Sequence, residues 1–380
     1  MNLLMVSGNT LTAQGKRDSF FYMLEEFSKY WNRIDVLCPP SSGATDRTVH
    51  GNVYFHPSPL SKLVHPLWIV RQGLKLARER SYHLMTIHEY PPFFNGLGGV
   101  MLSKRTGIPF ISEFHHIEGY PKAANLEEYF RKLLSKIYVP WIAKRALRIR
   151  VINRNETPEF LLQHGVPPEK LIYLNSSFLE LESFRPLSLP KEYDFVYCGR
   201  LVRTKGLSEL IKALEICQRR RPTVKLLLIG AGPLEKKLKR EVKRRNLEKN
   251  VVFWGWAKDF TEIGRLFNQS KVFVITSYAE GGPKTPLEAM ACGIPIITTP
   301  VGLMKEIIRD GENGFLVSWS PPEIASRMMD LLENEGLRQT LIQNGLSLVP
   351  RFARKEIVGA YAAGYQSVLS AETHLIAPTH

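Results

Sequence analysis

Short apolar runs rich in β-branched residues alternate with longer segments of helical periodicity along most of the chain. Between the first two runs, Phe20, Leu24, Phe27 and Trp31 recur at helical spacing, which predicts an amphipathic helix facing a core. Strand, helix and strand repeated in this way are typical of a parallel sheet covered by helices. The chain is therefore predicted to have an α/β fold built on parallel sheets.

The alternating pattern occurs twice. At 380 residues the chain is too long for one ordinary core and suits two. The periodicity stops at 185–190, where two prolines within five residues suggest an interdomain link. We expect an N-terminal domain at 1–186, a C-terminal domain at 187–350, and a last helix and tail at 351–380. The predicted strands lie at 3–7, 34–38, 53–55, 84–87, 109–114, 149–152 and 171–174, and then at 195–198, 225–229, 251–254, 272–275, 295–298 and 315–317.

Ligands of open parallel sheets bind beyond the carboxyl ends of the strands, so a site is expected in the loops that follow strands. The formal charge of +15 suits anionic ligands, whether nucleotide diphosphates, nucleic acid or acidic lipid. Residues 1–190 hold 23 of the 51 basic and 16 of the 36 acidic residues, so the basic excess is shared by both halves. Charge alone does not choose among these ligands.

The composition, with 44% hydrophobic and 23% charged residues, is typical of a folded soluble protein. No stretch of 18 apolar residues is present, and residues 1–10 read as a first strand rather than a signal peptide. The four cysteines form no C-x-x-C pair and predict buried, reduced thiols. We expect a cytoplasmic protein, or one attached peripherally to the inner face of the cell membrane.

Several common catalytic motifs do not occur in the sequence. Segment 8–17 has two glycines and a lysine but not the spacing of a phosphate loop. Segment 230–235 lacks the third glycine of G-x-G-x-x-G, and a tight strand-to-helix turn explains it equally well. There is no G-x-S-x-G, H-E-x-x-H or D-x-D, which removes the usual anchors of hydrolase triads, zincins and metal-bridged diphosphate sites.

The most informative segment, 277–293, lies between a predicted strand and a predicted helix. Its carboxylates Glu280 and Glu288 could face one pocket, and the helix N-terminus between them suits a diphosphate. Carboxylates accept hydrogen bonds from hydroxyls, so sugar and ribose rings are natural partners. An alternative is that Thr285 and Glu288 only form a capping box, with Pro286 at the first helical position.

This segment resembles the donor-site signature of family 4 of the retaining glycosyltransferases, which have the GT-B fold. The resemblance lies in an E-x7-E element within E-G-x-x-x-x-P-L-E-A-M-A-C-G-x-P. In the order expected for that family, 197–206 resembles its G-R-L-x-x-x-K-G turn, 227–233 its second glycine turn, 252–256 its base-binding strand and 310–317 its D-G-x-N-G-x-L-V hairpin. The resemblance implies two Rossmann-like domains whose parallel sheets face a central cleft, with the C-terminal helix packing back toward the N-terminal domain.

The resemblance also implies roles for single residues. Arg200 and Lys205 would hold the donor diphosphate and neutralise the leaving phosphate without a metal. Glu280 would contact the transferred sugar and Glu288 the ribose hydroxyls, while main-chain groups near Trp256 would meet the base. Taken alone, the two basic residues would more often lie in a solvated loop after a strand. The positions that match donor-binding motifs are Gly199, Arg200, Lys205, Gly230, Trp256, Gly281, Gly282, Lys284, Thr285 and Glu288.

The match departs from the family in one place. The commoner E-G-F-G-[LI]-P reads E-G-G-P-K-T here. Pro283 cannot donate an N–H to a phosphate, and Lys284 could either supply a charged donor instead or point to solvent.

Two loops after predicted strands of the N-terminal half carry clustered polar residues. His115 ends a strand where relatives carry a histidine near the donor sugar, and we predict a catalytic role for it. His116, together with His88 and Glu89 of the other loop, is predicted to contact the acceptor. The alternative is structural, because histidines at strand ends commonly pack against a neighbouring helix or face solvent.

Two segments of the N-terminal half are basic. Residues 62–80 combine Leu63, Leu67 and Trp68 with several basic residues. Such a helix can lie on an anionic membrane, which would suit a lipid-linked acceptor; the alternative is a domain helix with an ordinary solvated face. Segment 130–150 is similarly basic, but it runs straight into a predicted strand, and we interpret it as structural.

The sequence thus predicts a retaining hexosyltransferase that uses a UDP- or GDP-linked sugar as donor, with no cofactor and no metal. The acceptor would be a hydroxyl of a glycan, a lipid-linked glycan or a small molecule, in polysaccharide or glycolipid biosynthesis. Alternatives are a nucleotide-sugar epimerase on the same fold and a basic nucleic-acid-binding protein. The last would require aromatic residues interleaved with the basic ones on one exposed face, and no nucleic acid is expected as a partner.

Overall fold

The computed structural model describes the backbone of residues 1–376 and the side chains of residues 1–370. The chain forms two compact units, each with its own sheet and core. Unit 1 comprises Met1–Glu118, Phe130–Ser176 and the C-terminal segment that begins at Arg354. Unit 2 comprises Gly119–Tyr129 and Ser177–Ala353.

The chain enters unit 2 after residue 176, whereas the prediction placed the boundary after residue 186. Leu179 already forms a backbone bridge with Ala353 of unit 2. The carbonyl of Arg185 accepts a hydrogen bond from Asn268 Nδ2 at 3.0 Å. The proline-containing segment is therefore held by unit 2 and is not a free link. Likewise, the return to unit 1 begins at Arg354 rather than at residue 351.

The short segment Gly119–Tyr129 belongs to unit 2, which the sequence analysis did not predict. The ammonium of Lys122 lies 4.6 Å from the centre of the Tyr278 ring, at a distance typical of cation–π contacts. Thr204 Oγ1 donates to Glu128 Oε1 at 2.6 Å. These contacts attach the segment to the loops that follow two strands of unit 2.

The strands agree closely with the predicted ones and are β1 Asn2–Val6, β2 Arg33–Cys38, β3 Arg47–Val49, β4 Val53–Pro57, β5 Leu84–His88, β6 Phe110–Phe114, β7 Arg148–Val151, β8 Leu171–Tyr173, β9 Tyr193–Cys198, β10 Leu226–Ile229, β11 Val251–Gly255, β12 Ser270–Ile275, β13 Ile296–Thr298 and β14 Phe315–Leu316. The sheet of unit 1 has the order β3-β4-β2-β1-β5-β6-β7-β8, and that of unit 2 has the order β11-β10-β9-β12-β13-β14. Strand β3 pairs antiparallel with β4, and the other named pairs are parallel. The prediction of two parallel-sheet α/β domains is confirmed.

The α-helices are α1 Ser19–Phe27, α2 His65–Glu79, α3 Phe94–Thr106, α4 Leu126–Ala143, α5 Glu156–Gln163, α6 Leu207–Arg220, α7 Glu235–Arg244, α8 Phe260–Asn268, α9 Lys284–Ala291, α10 Met304–Ile307, α11 Pro321–Glu333, α12 Glu335–Leu348 and α13 Arg354–Ile376. Among the described residues, no helix has the length and apolar composition that crossing a bilayer requires.

Helix α13 packs in unit 1, as the resemblance implied. The ring of Tyr361 stacks on Phe27 of α1 with centroids 4.8 Å apart. Gln366 Nε2 donates to the carbonyl of Tyr30 at 2.8 Å. Since this helix follows all of unit 2 in the chain, unit 1 is built from segments on both sides of unit 2.

The parallel order decides where functional loops can lie. In unit 2, β9 stands between β10 and β12, so the loops after these three strands share one edge of the sheet. In unit 1, β5 and β6 are neighbours, and the loops after them share an edge as well. The four cysteines are all buried and unpaired, as predicted.

Candidate functional site

The loop after β9 carries Arg200 and Lys205 and ends at Gly206, whose φ is +61°. A Cβ at Gly206 would stand 2.1 Å from the carbonyl oxygen of Thr276, at the end of β12. Thr276 Oγ1 in turn donates to the carbonyls of Lys205 at 3.2 Å and Gly206 at 2.8 Å. Glycine is therefore required at this position, and the contact fixes the backbone of Lys205 beside the loop that contains Glu280.

Lys205 Nζ forms an ion pair with Glu280 Oε1, and both side chains are largely buried. Ser277 Oγ donates to the same carboxylate oxygen at 2.7 Å. An ammonium group has three donors, so Lys205 can keep this pair and still donate to a phosphate oxygen. Two of the residues that were predicted to be catalytic thus meet directly, with opposite charges.

Arg200 lies in the same loop and is exposed. Its carbonyl oxygen accepts a hydrogen bond from the Tyr197 hydroxyl at 3.1 Å, which fixes the backbone of the turn. No side chain within residues 1–370 pairs with its guanidinium. The group is therefore available to an anionic ligand, and its planar fork suits the oxygens of a phosphate.

The glycine turns after β9 and β10 pack backbone against backbone. A Cβ on Gly230, which has φ of +125°, would lie 2.1 Å from the carbonyl oxygen of Gly199. Gly230 N donates to the carbonyl of Gly255 at 2.7 Å. The interpretation of segment 230–235 as a tight turn agrees with this packing. Trp256 follows Gly255 and is 67% exposed, so its main chain lies at the surface of the same loop edge.

The loop 277–283 leads from β12 into α9 and is held by backbone contacts. A Cβ on Gly302 would lie 2.2 Å from the carbonyl oxygen of Gly281, and Leu303 N donates to that same oxygen at 2.9 Å. Ser177 Oγ donates to the carbonyl of Gly282 at 3.3 Å. These contacts fix both glycines of the segment.

Helix α9 begins at Lys284, two residues before the predicted start. Pro283 stands at the cap position with extended backbone, and no side chain caps the helix. Thr285 therefore lies within the first turn, and the capping box with Glu288 is wrong. The alternative in which Lys284 points to solvent also fails, because its ammonium lies 3.4 Å from the centre of the Phe178 ring.

Glu288 is a buried carboxyl group in α9, with 6% of the residue exposed. Burial raises its pKa to about 7, the charge of Lys284 lowers it, and Glu180 raises it further. Among the described residues, no side chain or backbone group donates a hydrogen bond to this carboxyl. A buried carboxyl with unused acceptor capacity is suited to hold the hydroxyl groups of a ligand.

In unit 1, His88 and His115 follow the adjacent strands β5 and β6, and their ring centroids lie 4.3 Å apart. Burial, followed by the charge of His115, lowers the pKa of His88 to about 3, so His88 is neutral near pH 7. Arg150 Nη1 lies 3.3 Å from Nε2 of His115, and Glu113 Oε2 lies 3.5 Å from it. The structure therefore brings the two predicted histidines together, beside a buried ion pair.

That ion pair was not predicted from the sequence. Arg150 Nη1 donates to Glu113 Oε2 at 2.9 Å, and the hydroxyls of Tyr361 and Tyr365 donate to Glu113 Oε1. Burial raises the pKa of Glu113, but the charge of Arg150 and the hydrogen bonds of His115 and Tyr365 outweigh it and hold the pKa well below its ordinary value. Helix α13 thus contributes two hydroxyls to the support of His115.

Glu89 requires a correction. It is buried, Tyr138 donates to both of its oxygens at 3.0 Å, and Ser112 donates to Oε1 at 2.9 Å. Burial raises its pKa to about 8. A carboxyl group enclosed in this way does not face a ligand, so the acceptor role predicted for Glu89 is not retained. His116, by contrast, is exposed.

Within the part of the chain whose side chains are described, no three His, Cys, Asp or Glu residues form a group that could hold a metal ion. The charged groups of the predicted donor residues at the edge of the unit 2 sheet are Arg200, Lys205, Glu280 and Lys284, and Glu288 is buried. Fixed cations of this kind can hold an anionic ligand by themselves.

Solved structures share the fold of this chain. The structure of sucrose-phosphate synthase from Thermosynechococcus elongatus aligns with a TM-score of 0.82 and 20% identity, over 97% of this chain and 99% of that chain. HepE from Anabaena in complex with UDP and glucose aligns with a TM-score of 0.77 and 19% identity, over 97% of this chain and 100% of that chain. The fold of the chain is the GT-B fold.

Sequence comparisons assign the chain to the same class. Residues 180–347 match the family Glycosyl transferases group 1, and residues 20–174 match Glycosyltransferase Family 4. An uncharacterized glycosyltransferase of Methanocaldococcus jannaschii is 26% identical over 324 residues, which cover 83% of this chain and 86% of that protein. The chain is thus a GT-B glycosyltransferase. Its C-terminal half is similar to the group 1 family and its N-terminal half to Glycosyltransferase Family 4.

Proposed function

We propose that the chain transfers a hexose from a UDP-linked donor to a hydroxyl group of an acceptor. The observation that carries the proposal is the pairing of Lys205 with Glu280 at the edge of the unit 2 sheet, next to exposed Arg200 and the start of α9. The two cations would bind the diphosphate, and Glu280 would bind hydroxyls of the sugar.

The remaining donor contacts follow from the same edge. Glu288 would accept hydrogen bonds from the ribose hydroxyls, because its carboxyl is buried and has no hydrogen-bond donor among the described residues. The exposed loop at Gly255 and Trp256 would meet the base through main-chain groups. UDP is proposed over GDP because the HepE structure of the same fold contains UDP and glucose.

The transfer would proceed with retention of configuration and without a metal. The bond between the anomeric carbon and the phosphate oxygen breaks while the acceptor oxygen bonds to the same face of that carbon. The proton of the acceptor hydroxyl passes to the departing phosphate, so the atoms balance without a base from the protein. Arg200 and Lys205 would stabilise the charge that builds on the phosphate. The ion pair of Glu280 favours this route, because an ion-paired carboxylate is a weak nucleophile.

We further propose a catalytic role for His115 toward the transferred sugar and acceptor contacts for His88 and His116. The support for His115 is its position beside the buried pair of Arg150 and Glu113. His88 is neutral near pH 7 and can therefore accept a hydrogen bond from an acceptor hydroxyl. An acceptor hydroxyl on a glycan or a lipid-linked glycan would suit both His88 and His116.

The test is nucleotide release from a panel of UDP-, GDP- and ADP-sugars, with NMR of the product to assign the anomer. We expect release of UDP and a product whose anomeric configuration, α or β, is the same as that of the donor. A chelator should have no effect on the rate. Lys205→Ala and Glu280→Gln should each lower the rate by at least about 100-fold, since each removes a charged contact to the transition state. Lys212→Ala in α6 is the matched control and should keep the wild-type rate.

Two outcomes would overturn the proposal. Release that depends on a divalent cation would contradict metal-free transfer, and a product of inverted configuration would contradict the retaining mechanism. Interconversion of the donor sugar without transfer would instead indicate an epimerase.

A further inference from the structure

Helix α4 exposes an apolar stripe in unit 1. Ile137 is 74% exposed and Phe130 is 63% exposed, and Leu133 and Leu134 are exposed between them. The opposite side of the helix packs into unit 1 through residues such as Val139 and Ile142. Since 130, 133, 134 and 137 recur at the helical period, the stripe lies along one side of α4. The interpretation of segment 130–150 as purely structural therefore covers only half of this helix.

The stripe is close to further exposed leucines on α3 and at the start of α2. Helix α3 lies between the other two: a Cβ on Gly96 would collide with the Tyr138 hydroxyl of α4, and a Cβ on Gly98 would contact Pro66 and Ile69 of α2. Leu97, between the two glycines, is exposed. Helix α3 thus contacts both α2 and α4.

At the start of α2, Leu63 is 79% exposed and Leu67 is also exposed. Trp68, which the sequence suggested as a membrane anchor, is buried instead and stacks with His65. We call the set Leu63, Leu67, Leu97, Phe130, Leu134 and Ile137 the apolar surface. Single exposed apolar residues are ordinary, but a group on three adjacent helices indicates an interaction site.

Basic residues outnumber acidic ones around the apolar surface. The three helices hold three carboxylates, Glu79 in α2 and Glu127 and Glu128 in the first turn of α4, and Glu118 before α4 pairs with Arg131 at 2.7 Å. The basic residues there are Arg71, Lys75, Arg78, Lys104, Arg105, Arg131, Lys132 and Lys136. An apolar centre with a basic margin is complementary to a surface that is apolar inside and anionic at its face.

We propose that the apolar surface binds the headgroup region of an anionic lipid bilayer, with α4 lying in the plane of the interface. The exposed leucine, isoleucine and phenylalanine side chains insert below the headgroups, and the lysines and arginines bind the lipid phosphates. A second copy of the chain is a poor occupant, because two surfaces of the same charge on a chain of net charge +15 repel each other. The proposal does not depend on the donor chemistry proposed above.

The experiment is flotation of the full chain with vesicles of phosphatidylcholine, with and without about one third phosphatidylglycerol, at low and high salt. We expect binding to the anionic vesicles that weakens as salt is raised, and little binding to phosphatidylcholine alone. Leu67→Ser with Ile137→Ser should weaken partitioning at least about tenfold, because two exposed apolar side chains no longer insert. Lys75→Gln with Lys104→Gln should weaken it and flatten the salt dependence.

Matched controls distinguish vesicle binding by the apolar surface from non-specific adsorption. Leu162 in α5 and Leu187 in unit 2 are also exposed leucines, and Leu162→Ser with Leu187→Ser should bind vesicles as the wild type does. Lys236 and Lys243 are exposed on basic helix α7, and their change to glutamine should have a smaller effect than that of Lys75 and Lys104.

Three results would overturn the proposal. They are absence of binding to anionic vesicles, binding that the Leu67 and Ile137 changes leave intact, and self-association that these changes abolish. Circular dichroism of each variant shows whether a loss of binding reflects a loss of fold, and the donor-hydrolysis rate without vesicles should remain that of the wild type.

Discussion

Replacement of Glu288 by Gln should separate the stability of unit 2 from its ability to bind a nucleotide sugar. The pKa of Glu288 is raised from 4.5 to about 7 by burial. A carboxyl whose pKa is raised on folding favours the folded state only when it is protonated, so the folded state loses stability as pH rises from the unfolded pKa through the folded one. This pKa difference destabilises the folded state by about 3 kcal/mol above pH 7.

Glutamine has nearly the same volume and stays neutral, so Glu288→Gln removes this penalty. We expect the variant to be more stable than the wild type by up to about 3 kcal/mol at pH 8 and by less than about 1 kcal/mol at pH 5. The assay is urea unfolding at the two pH values, with hydrogen exchange in α9 and β12 to assign the change to unit 2. Glu248→Gln, at an exposed position, is the control and should change neither value.

The same variant should bind UDP more weakly, because an amide replaces one carboxylate acceptor of the ribose hydroxyls. A variant that is less stable than the wild type at pH 8 would refute the reasoning, since the carboxylate would then be stabilising the folded unit. Increased stability with unchanged UDP affinity would leave the burial argument intact and contradict the ligand role of Glu288.

The other predictions concern the backbone of the donor loop and the buried carboxyl groups of unit 1. Gly206→Ala should destabilise unit 2 by at least about 2 kcal/mol, measured by urea unfolding. The new Cβ would collide with the carbonyl of Thr276, and residue 206 has a positive φ. Stability near that of the wild type would contradict this packing. Arg150→Gln should lower the free energy of unfolding of unit 1 by about 3–5 kcal/mol, measured in urea, because Glu113 would remain buried without its cation. This loss should shrink as pH falls below the ordinary glutamate pKa, since Glu113 then becomes protonated. A loss that is independent of pH would contradict this account. Glu89→Gln should make unit 1 more stable than the wild type at pH 9 but not at pH 5. The pKa of Glu89 is raised to about 8, so the buried carboxylate destabilises the folded state at high pH. Thermal unfolding at both pH values checks this.

The sequence was sufficient for the two sheets because buried parallel strands read as continuous apolar runs. The exception, β3, is short and mostly exposed, and its residues Arg47 and Thr48 give no apolar signal. The chain crossing at 176 was missed for a different reason. Prolines near 186 resemble a linker, but Asn268 supplies hydrogen bonds that hold this segment in unit 2, and such a long-range contact leaves no local pattern.

The donor residues could be predicted because each lies next to a strand end and matches a motif of the family. Their support could not be predicted in the same way. Ser277 looks like an ordinary loop serine, yet it donates to Glu280. Glu113 lies within an apolar strand, and its partner Arg150 is 37 positions away in the chain, so only the register of β6 and β7 brings them together.

The N-terminal half shows most clearly what could not be predicted from the sequence. Residues His88 and Glu89 are adjacent in sequence and looked equally suited to an acceptor. They face different environments because successive residues at the end of a strand point to opposite sides of the sheet. His88 contacts the ring of His115, whereas Glu89 lies in the interior against Tyr138.

The most direct test of the account is a crystal structure of the chain soaked with UDP. We predict that an oxygen of the diphosphate lies about 3 Å from Lys205 Nζ and from the guanidinium of Arg200, with the ribose hydroxyls on Glu288. Diphosphate density elsewhere on the chain, with Lys205 and Glu280 paired as before and no ligand near Arg200, would contradict the donor site.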